Sequence, residues 1–123
     1  MEKQKISLEN ILNNPAETIE VPDYGSVQVK SPTTRDKLDA KREALKLTEG
    51  LDEEDKILEQ ARVLAIKMIV EPKITLDNYL NSNDSTISVI LDNVHMWYNL
   101  KVKELNSKRQ EQIKSFLKVM KEP

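Results

Sequence analysis

From Ser85 to Lys118 the chain contains neither glycine nor proline, and Ile87, Ile90, Leu91, Val94, Tyr98, Val102 and Leu105 recur at spacings of one, three and four. Such a pattern lines apolar side chains along one side of an α-helix. About 34 residues rising ~1.5 Å each make a rod of roughly 50 Å, whereas a compact domain of this chain length is only about 35 Å across. The helix outruns the domain. Two solutions are open: a break near Asn106-Ser107, the weakest helix formers of the stretch, with the second half folded back onto the core, or a C-terminal half that projects. The apolar pattern resumes at Ile113, Phe116, Leu117 and Met120, and in the second case the Phe116-Leu117-Met120 face seeks another chain.

The segment ahead of this helix supplies the rest of a body. Leu8, Ile11 and Leu12 behind Ser7 and before Pro15 predict a short helix over 6–14. Ile19 and Val21, then Val27 and Val29, alternate with polar residues on either side of Pro22-Asp23-Tyr24-Gly25, the signature of a hairpin with one buried face. Two strands alone are marginal in water, so this hairpin must rest on the helices or on another chain. Ser31-Pro32-Thr33-Thr34 opens a polar helix with Asp36 and Asp39 in its early turns, whose sparse leucines and alanines predict a largely solvated element ending at Gly50 as a C-cap. Asp52, followed by three acidic residues, opens a helix over 52–70. Its residues Ile57, Leu58, Ala61, Leu64, Ala65 and Met68 share one face, and Pro72 stops it. Leu76, Tyr79 and Leu80 mark a further short turn of helix, and the long helix is expected to start at Ser82 or Asp84.

Composition narrows the class. With 123 residues, 38% hydrophobic and 4% aromatic, only two glycines and no cysteine, the chain suits a helical core and excludes a disulfide scaffold; turn-rich sandwiches and barrels lose ground. No signal-peptide pattern opens the sequence, and no apolar run exceeds about four residues where a membrane span needs about 20. A cytoplasmic protein with no membrane contact is the expectation. The formal net charge of -2 excludes gross polyanion attraction, yet the charge is uneven: residues 101–123 carry seven Lys or Arg against three Glu, and the first 100 residues carry 12 against 18. The seven cations spread around the helix instead of forming one stripe, and cations near a helix C-terminus complement its dipole, which argues against nucleic acid.

Residues able to carry chemistry are few. His95 is the lone histidine, so a metal site would need three carboxylates around one imidazole, an unusual set. A boundary position on the helix is the simpler reading. Glu53, Glu54 and Asp55 look like an acid cluster, but their place at a helix start accounts for them. No glycine-rich phosphate loop, nucleophile elbow or metalloprotease spacing occurs. No enzyme, cofactor or metal is expected. Met96-Trp97-Tyr98 is the one aromatic concentration; Tyr98 lies on the apolar stripe, while Trp97 lies about 100° from it. Trp97 with Leu100 either widens the buried face or forms a contact surface of the kind aromatic residues dominate.

The order of phrases carries a resemblance. Ile19-Glu-Val-Pro-Asp-Tyr-Gly-Ser-Val-Gln-Val-Lys30, then Thr33-Thr-Arg-Asp-Lys-Leu-Asp-Ala40, then an amphipathic helix closing on Met68-Ile-Val-Glu-Pro72 resembles, over about residues 17–80, the tail assembly chaperones of long-tailed bacteriophages and prophages. The long final helix departs from that layout. The resemblance implies a non-enzymatic helical protein that binds the tape-measure protein, a long helix-rich chain, keeps it soluble and helps recruit tail tube protein around it, in the host cytoplasm. Such a role needs exposed apolar surface for amphipathic helices and enough charge to keep the complex dispersed. Methionines 68, 96 and 120 suit adaptable contact, although Met68 is better placed as core filling. A self-associating structural or scaffold component of a virion would use the same hairpin and helix, and a small nucleic-acid-binding regulator would use the basic tail.

The expectation is thus a mainly α fold: a small helical domain with a short N-terminal β-hairpin and a long C-terminal helix. Residues 1–32 form the N-terminal segment with the hairpin, 33–105 the helical core, and 106–123 a C-terminal helical extension. Partner contact is expected from Trp97, Leu100, Phe116, Leu117 and Met120, large apolar groups that the main stripe does not account for or that lie beyond a compact core.

Overall fold

The computed structural model describes residues 7–83 and 85–121, without the side chain of Ile11. Along the chain run α1 (Leu8–Leu12), β1 (Glu17–Val21), β2 (Gly25–Val29), α2 (Thr34–Leu47), α3 (Glu53–Met68), β3 (Ile69–Glu71), α4 (Leu76–Leu80) and α5 (Thr86–Lys121). This is a mainly α fold with the N-terminal hairpin and long final helix that the sequence predicts.

The hairpin pairs Glu17 with Val29, Ile19 with Val27 and Val21 with Gly25, so one face collects Ile19, Val21, Val27 and Val29. Its turn is closed by the Tyr24 N–H donating to the Val21 carbonyl (3.0 Å), with Pro22 and Asp23 at the corner and Asp23 at φ 70°. A type II corner takes proline first and a positive φ second, which glycine or asparagine meets most easily and a β-branched residue worst. Asp23→Val is therefore expected to cost about 1–2 kcal/mol in urea unfolding while Asp23→Gly is tolerated; equal stability of the two would show that the corner is relaxed elsewhere.

The hairpin rests on the helices and also on a strand that the sequence does not predict. A third strand, β3, pairs antiparallel to β2 through Val29 with Ile69 and Gln28 with Glu71, in the order β1-β2-β3, leaving Val70 unmatched in between. The Lys30 N–H donating to the Met68 carbonyl (2.8 Å) extends this edge. The helix expected over 52–70 thus stops at Met68, because Ile69 leaves helical geometry and the run before Pro72 goes extended, as residues preceding proline prefer. Val21, Val27 and Val29 then pack with Ala65, Met68, Ile69, Leu91 and Val94 into the main core.

A second, smaller cluster joins α2 to α3 through Ala40, Ala44 and Val63. Two alanines one turn apart let the helices approach closely, and the rest of α2 is largely solvated, as expected. Three expectations need correcting here. Gly50 is not the cap of α2: the helix ends at Leu47, Thr48 follows with its N–H (3.0 Å) and hydroxyl (2.7 Å) both donating to the Ala44 carbonyl, and Gly50 at φ 87° shapes the turn beyond. Ile57, 67% exposed, and Leu58 are not core residues, because the first turns of α3 extend past the elements that cover its later turns. Val63, outside the predicted stripe, is buried instead against α2.

Side chains cap the starts of α2 and α3, whereas Ser7 at the start of α1 makes no side-chain cap hydrogen bond. The Asp36 N–H donates to Thr33 Oγ1 (3.1 Å) and the Thr33 N–H to Asp36 Oδ2 (2.9 Å), a reciprocal box at the start of α2. The Asp55 N–H donates to Asp52 Oδ1 (3.0 Å) at the start of α3. The long helix α5 begins at Thr86, later than expected, with the Ser85 carbonyl accepting from the Val89 N–H (2.9 Å); Asp84 lies outside the described residues.

Candidate functional site

No break occurs at Asn106-Ser107. Helix α5 runs through 36 residues to Lys121, about 54 Å at 1.5 Å per residue. Its first half, Ile87 to Val102, is embedded or half-embedded on one side, with Leu91 and Val94 buried in the main core. From Lys103 to Lys121 every residue is exposed. Burial thus ends at Val102, three residues short of the expected edge of the core, and Leu105 already stands in solvent. The second half projects.

The side of α5 that faces the body continues along the projection. Taking Leu105 as reference and about 100° per residue, Ile87, Leu91, Val94, Tyr98 and Val102 fall within about 60° of it, and so do Phe116 and Met120; Ile113 and Leu117 flank them on one edge. This side of α5 is therefore covered by the hairpin and α3 over its first half and by nothing described over its second, where Lys108, Arg109 and Gln112 separate Leu105 from the apolar group Ile113, Phe116, Leu117 and Met120. Phe116 is 63%, Leu117 50% and Met120 67% exposed, values at which large apolar side chains grouped together mark an interaction surface more than chance.

The five residues expected to make contact do not all share this surface. Phe116, Leu117 and Met120 do, together with Ile113, which the expected set omitted although its i, i+3, i+4, i+7 relation to them is plain in the sequence. Leu100 is exposed but lies about 140° round the helix, beside Lys103, Glu104 and Ser107. Trp97 is half-buried against the main core, with the Lys101 ammonium 4.6 Å from its ring centroid and the same ammonium paired to Glu17 of β1. The Lys101–Glu17 pair beside it ties α5 to the hairpin.

Where α5 leaves the body, a groove of about 360 Å³ opens between Ser31, Pro32 and Lys37, at the entry to α2, and the helix face from Tyr98 to Arg109. Its floor is apolar, from Pro32, Tyr98, Val102 and Leu105, and its rim is cationic, from Lys37, Lys101 and Arg109. The Lys37 ammonium lies 5.7 Å from the Tyr98 ring centroid.

Elsewhere the polar groups hold the fold together. Arg62 on α3 makes a two-pronged contact with Asp92 on α5, Nε to Oδ1 at 2.9 Å and the terminal nitrogen to Oδ2 at 3.1 Å. It also donates to Glu59 (3.3 Å) and to the Tyr79 hydroxyl (3.1 Å), which in turn donates to Glu59 (2.7 Å). Asp92 holds the guanidinium even more firmly protonated than usual, and burial raises the Tyr79 hydroxyl. His95 is half-buried, edge-on to Tyr98 with ring centroids 6.2 Å apart, and burial lowers its pKa against the opposing pull of Asp92. Glu53, Glu54 and Asp55 are exposed on the first turn of α3. Among the described residues no group of three or more acidic or histidine side chains is arranged to hold a metal ion, and no helix is long and apolar enough to cross a membrane.

No protein-family model, curated protein or solved structure matches the chain.

Proposed function

We propose that this protein is a non-enzymatic assembly chaperone whose projecting helix receives an amphipathic helix of a partner chain. What supports the reading is one observation: the side of α5 that packs on the body continues beyond it uncovered, and carries Leu105 and then the exposed apolar group Ile113, Phe116, Leu117 and Met120. Exposed helix in water carries a polar face all round unless something covers it. A rigid rod anchored by a packed core presents its apolar side at fixed orientation, which lowers the ordering cost of binding, and a helix laid alongside buries it as in other helix-in-groove recognition.

Combined with the phrases at 19–30, 33–40 and 68–72, this makes a phage tail assembly chaperone the function best supported, with the tape-measure protein as the partner whose long apolar helices need cover and the tail tube protein as a further contact. The site of action is then the host cytoplasm. Co-expression with the tape-measure chain of the same genome and affinity capture is the test. Capture is expected with the unaltered protein and is expected to fall at least about tenfold in Phe116→Asp, which sets a charge in the middle of the seam. Undiminished capture by Phe116→Asp, or no capture by the unaltered protein, would overturn the reading.

A further inference from the structure

The charges that accompany the uncovered stripe are of one sign. At about 100° per residue, Arg109 falls in the middle of the stripe between Leu105 and Phe116, and Lys101 and Lys108 fall along one edge. Glu104 and Glu111 lie farther round, behind that edge. Lys37, contributed by α2, stands over the Tyr98 ring at the inner end of the same face. Among the described residues no carboxylate lies within ion-pair distance of Lys37, Lys108 or Arg109; Lys101 alone is paired, with Glu17.

A guanidinium in the middle of an apolar seam constrains what covers the seam. Any chain laid over it strips water from Arg109, and a desolvated cation without a counter-charge is strongly unfavourable. The covering chain must bring a carboxylate. A second copy of this protein laid antiparallel across the seam brings the Arg109 of both copies together instead, so self-pairing there is opposed.

Resting on the helix-binding reading, we infer that the partner segment is an acidic amphipathic helix, seated from the groove at Tyr98 out to Met120 with its carboxylates on Lys37, Lys108 and Arg109. Arg109 is the residue that selects it, because a planar guanidinium fork meets a carboxylate two-pronged. The edge cations add steering and salt sensitivity.

The test uses the full-length protein and two labelled synthetic amphipathic helices with the same leucine pattern, one edged with Glu and one with Lys, followed by fluorescence anisotropy. The Glu-edged peptide is expected to bind about tenfold more tightly at low salt, with the gap closing towards about 0.5 M salt. The exposed double variant K37E/R109E is expected to invert the preference, and Arg109→Leu, which adds no repulsion, to flatten it. Binding of both peptides within about twofold of each other, or a preference unchanged in K37E/R109E, would overturn the acidic partner while leaving the helix-binding face intact. Binding of neither peptide would overturn both, and a dimer by light scattering with neither peptide bound would assign the seam to a second copy.

Discussion

Arg62→Ala is expected to destabilise the protein by about 2–3 kcal/mol, a large effect for a residue that lies on no apolar stripe. The guanidinium is the hub of the only contact network that ties three helices together by side chains among the described residues: Glu59 from its own helix α3, Tyr79 from α4 and Asp92 from α5. Removing it leaves Asp92 and Glu59 as neighbouring half-buried carboxylates with no cation between them. A fully buried pair broken in this way costs about 3–5 kcal/mol; here the Asp92 side chain is 43% exposed, so water recovers part of the loss. A double-mutant cycle with Asp92→Ala isolates the pair, with an expected coupling of about 1–2 kcal/mol in urea unfolding. A coupling near zero would mean that the network is a surface ornament and that α4 is held by Leu76 and Tyr79 packing alone. Arg62→Lys is expected to recover only part of the stability, since an ammonium cannot grip Asp92 with two parallel hydrogen bonds.

Periodicity made some of this architecture legible and hid the rest for definite reasons. The hairpin could be placed because its alternating valines flank a proline-led turn, and the register confirms one buried face through Val21, Val27 and Val29. The length of α5 followed from the absence of glycine and proline, and the core's size then implied a projecting half as one of two outcomes. Strand β3 was not legible, because Ile69 and Val70 continue the apolar run of α3 and only the pairing with β2 reveals their extended state. The burial of Val63 is not legible, because its partners Ala40 and Ala44 are small and small residues give no hydrophobic stripe by themselves. Ile57 and Leu58 fitted the stripe but not the body, since periodicity says which side is apolar and nothing about where the neighbouring element stops. The Arg62–Asp92 contact spans 30 residues between two helices, and no local pattern encodes it. Of the contact surface, Phe116, Leu117 and Met120 were legible as a cluster beyond the core, whereas the one-sided placement of Lys101, Lys108 and Arg109 emerges once the stripe's covered half gives it a direction.

Two truncations on one helix separate what folds the protein from what it presents. Leu91 is 0% exposed in the main core and Phe116 is 63% exposed on the projection, yet both lie on the same side of α5. Leu91→Ala is expected to cost about 3 kcal/mol, the transfer of the lost methylenes plus a cavity between α3, the sheet and α5 that the valines around it cannot collapse to fill. Phe116→Ala is expected to stay within about 0.5 kcal/mol, because nothing packs on the ring in the isolated chain. Urea unfolding followed by the fluorescence of Trp97, the one tryptophan and itself half-buried against this core, reads both. The larger aromatic thus contributes least to folding, so an apolar ring there gains its free energy from a contact outside the body, and capture of an amphipathic helix is expected to be lost in Phe116→Ala and retained in Leu91→Ala wherever that variant is still folded. A loss of more than about 1.5 kcal/mol for Phe116→Ala would show that the ring is already covered in solution and that the stripe is not a vacant surface.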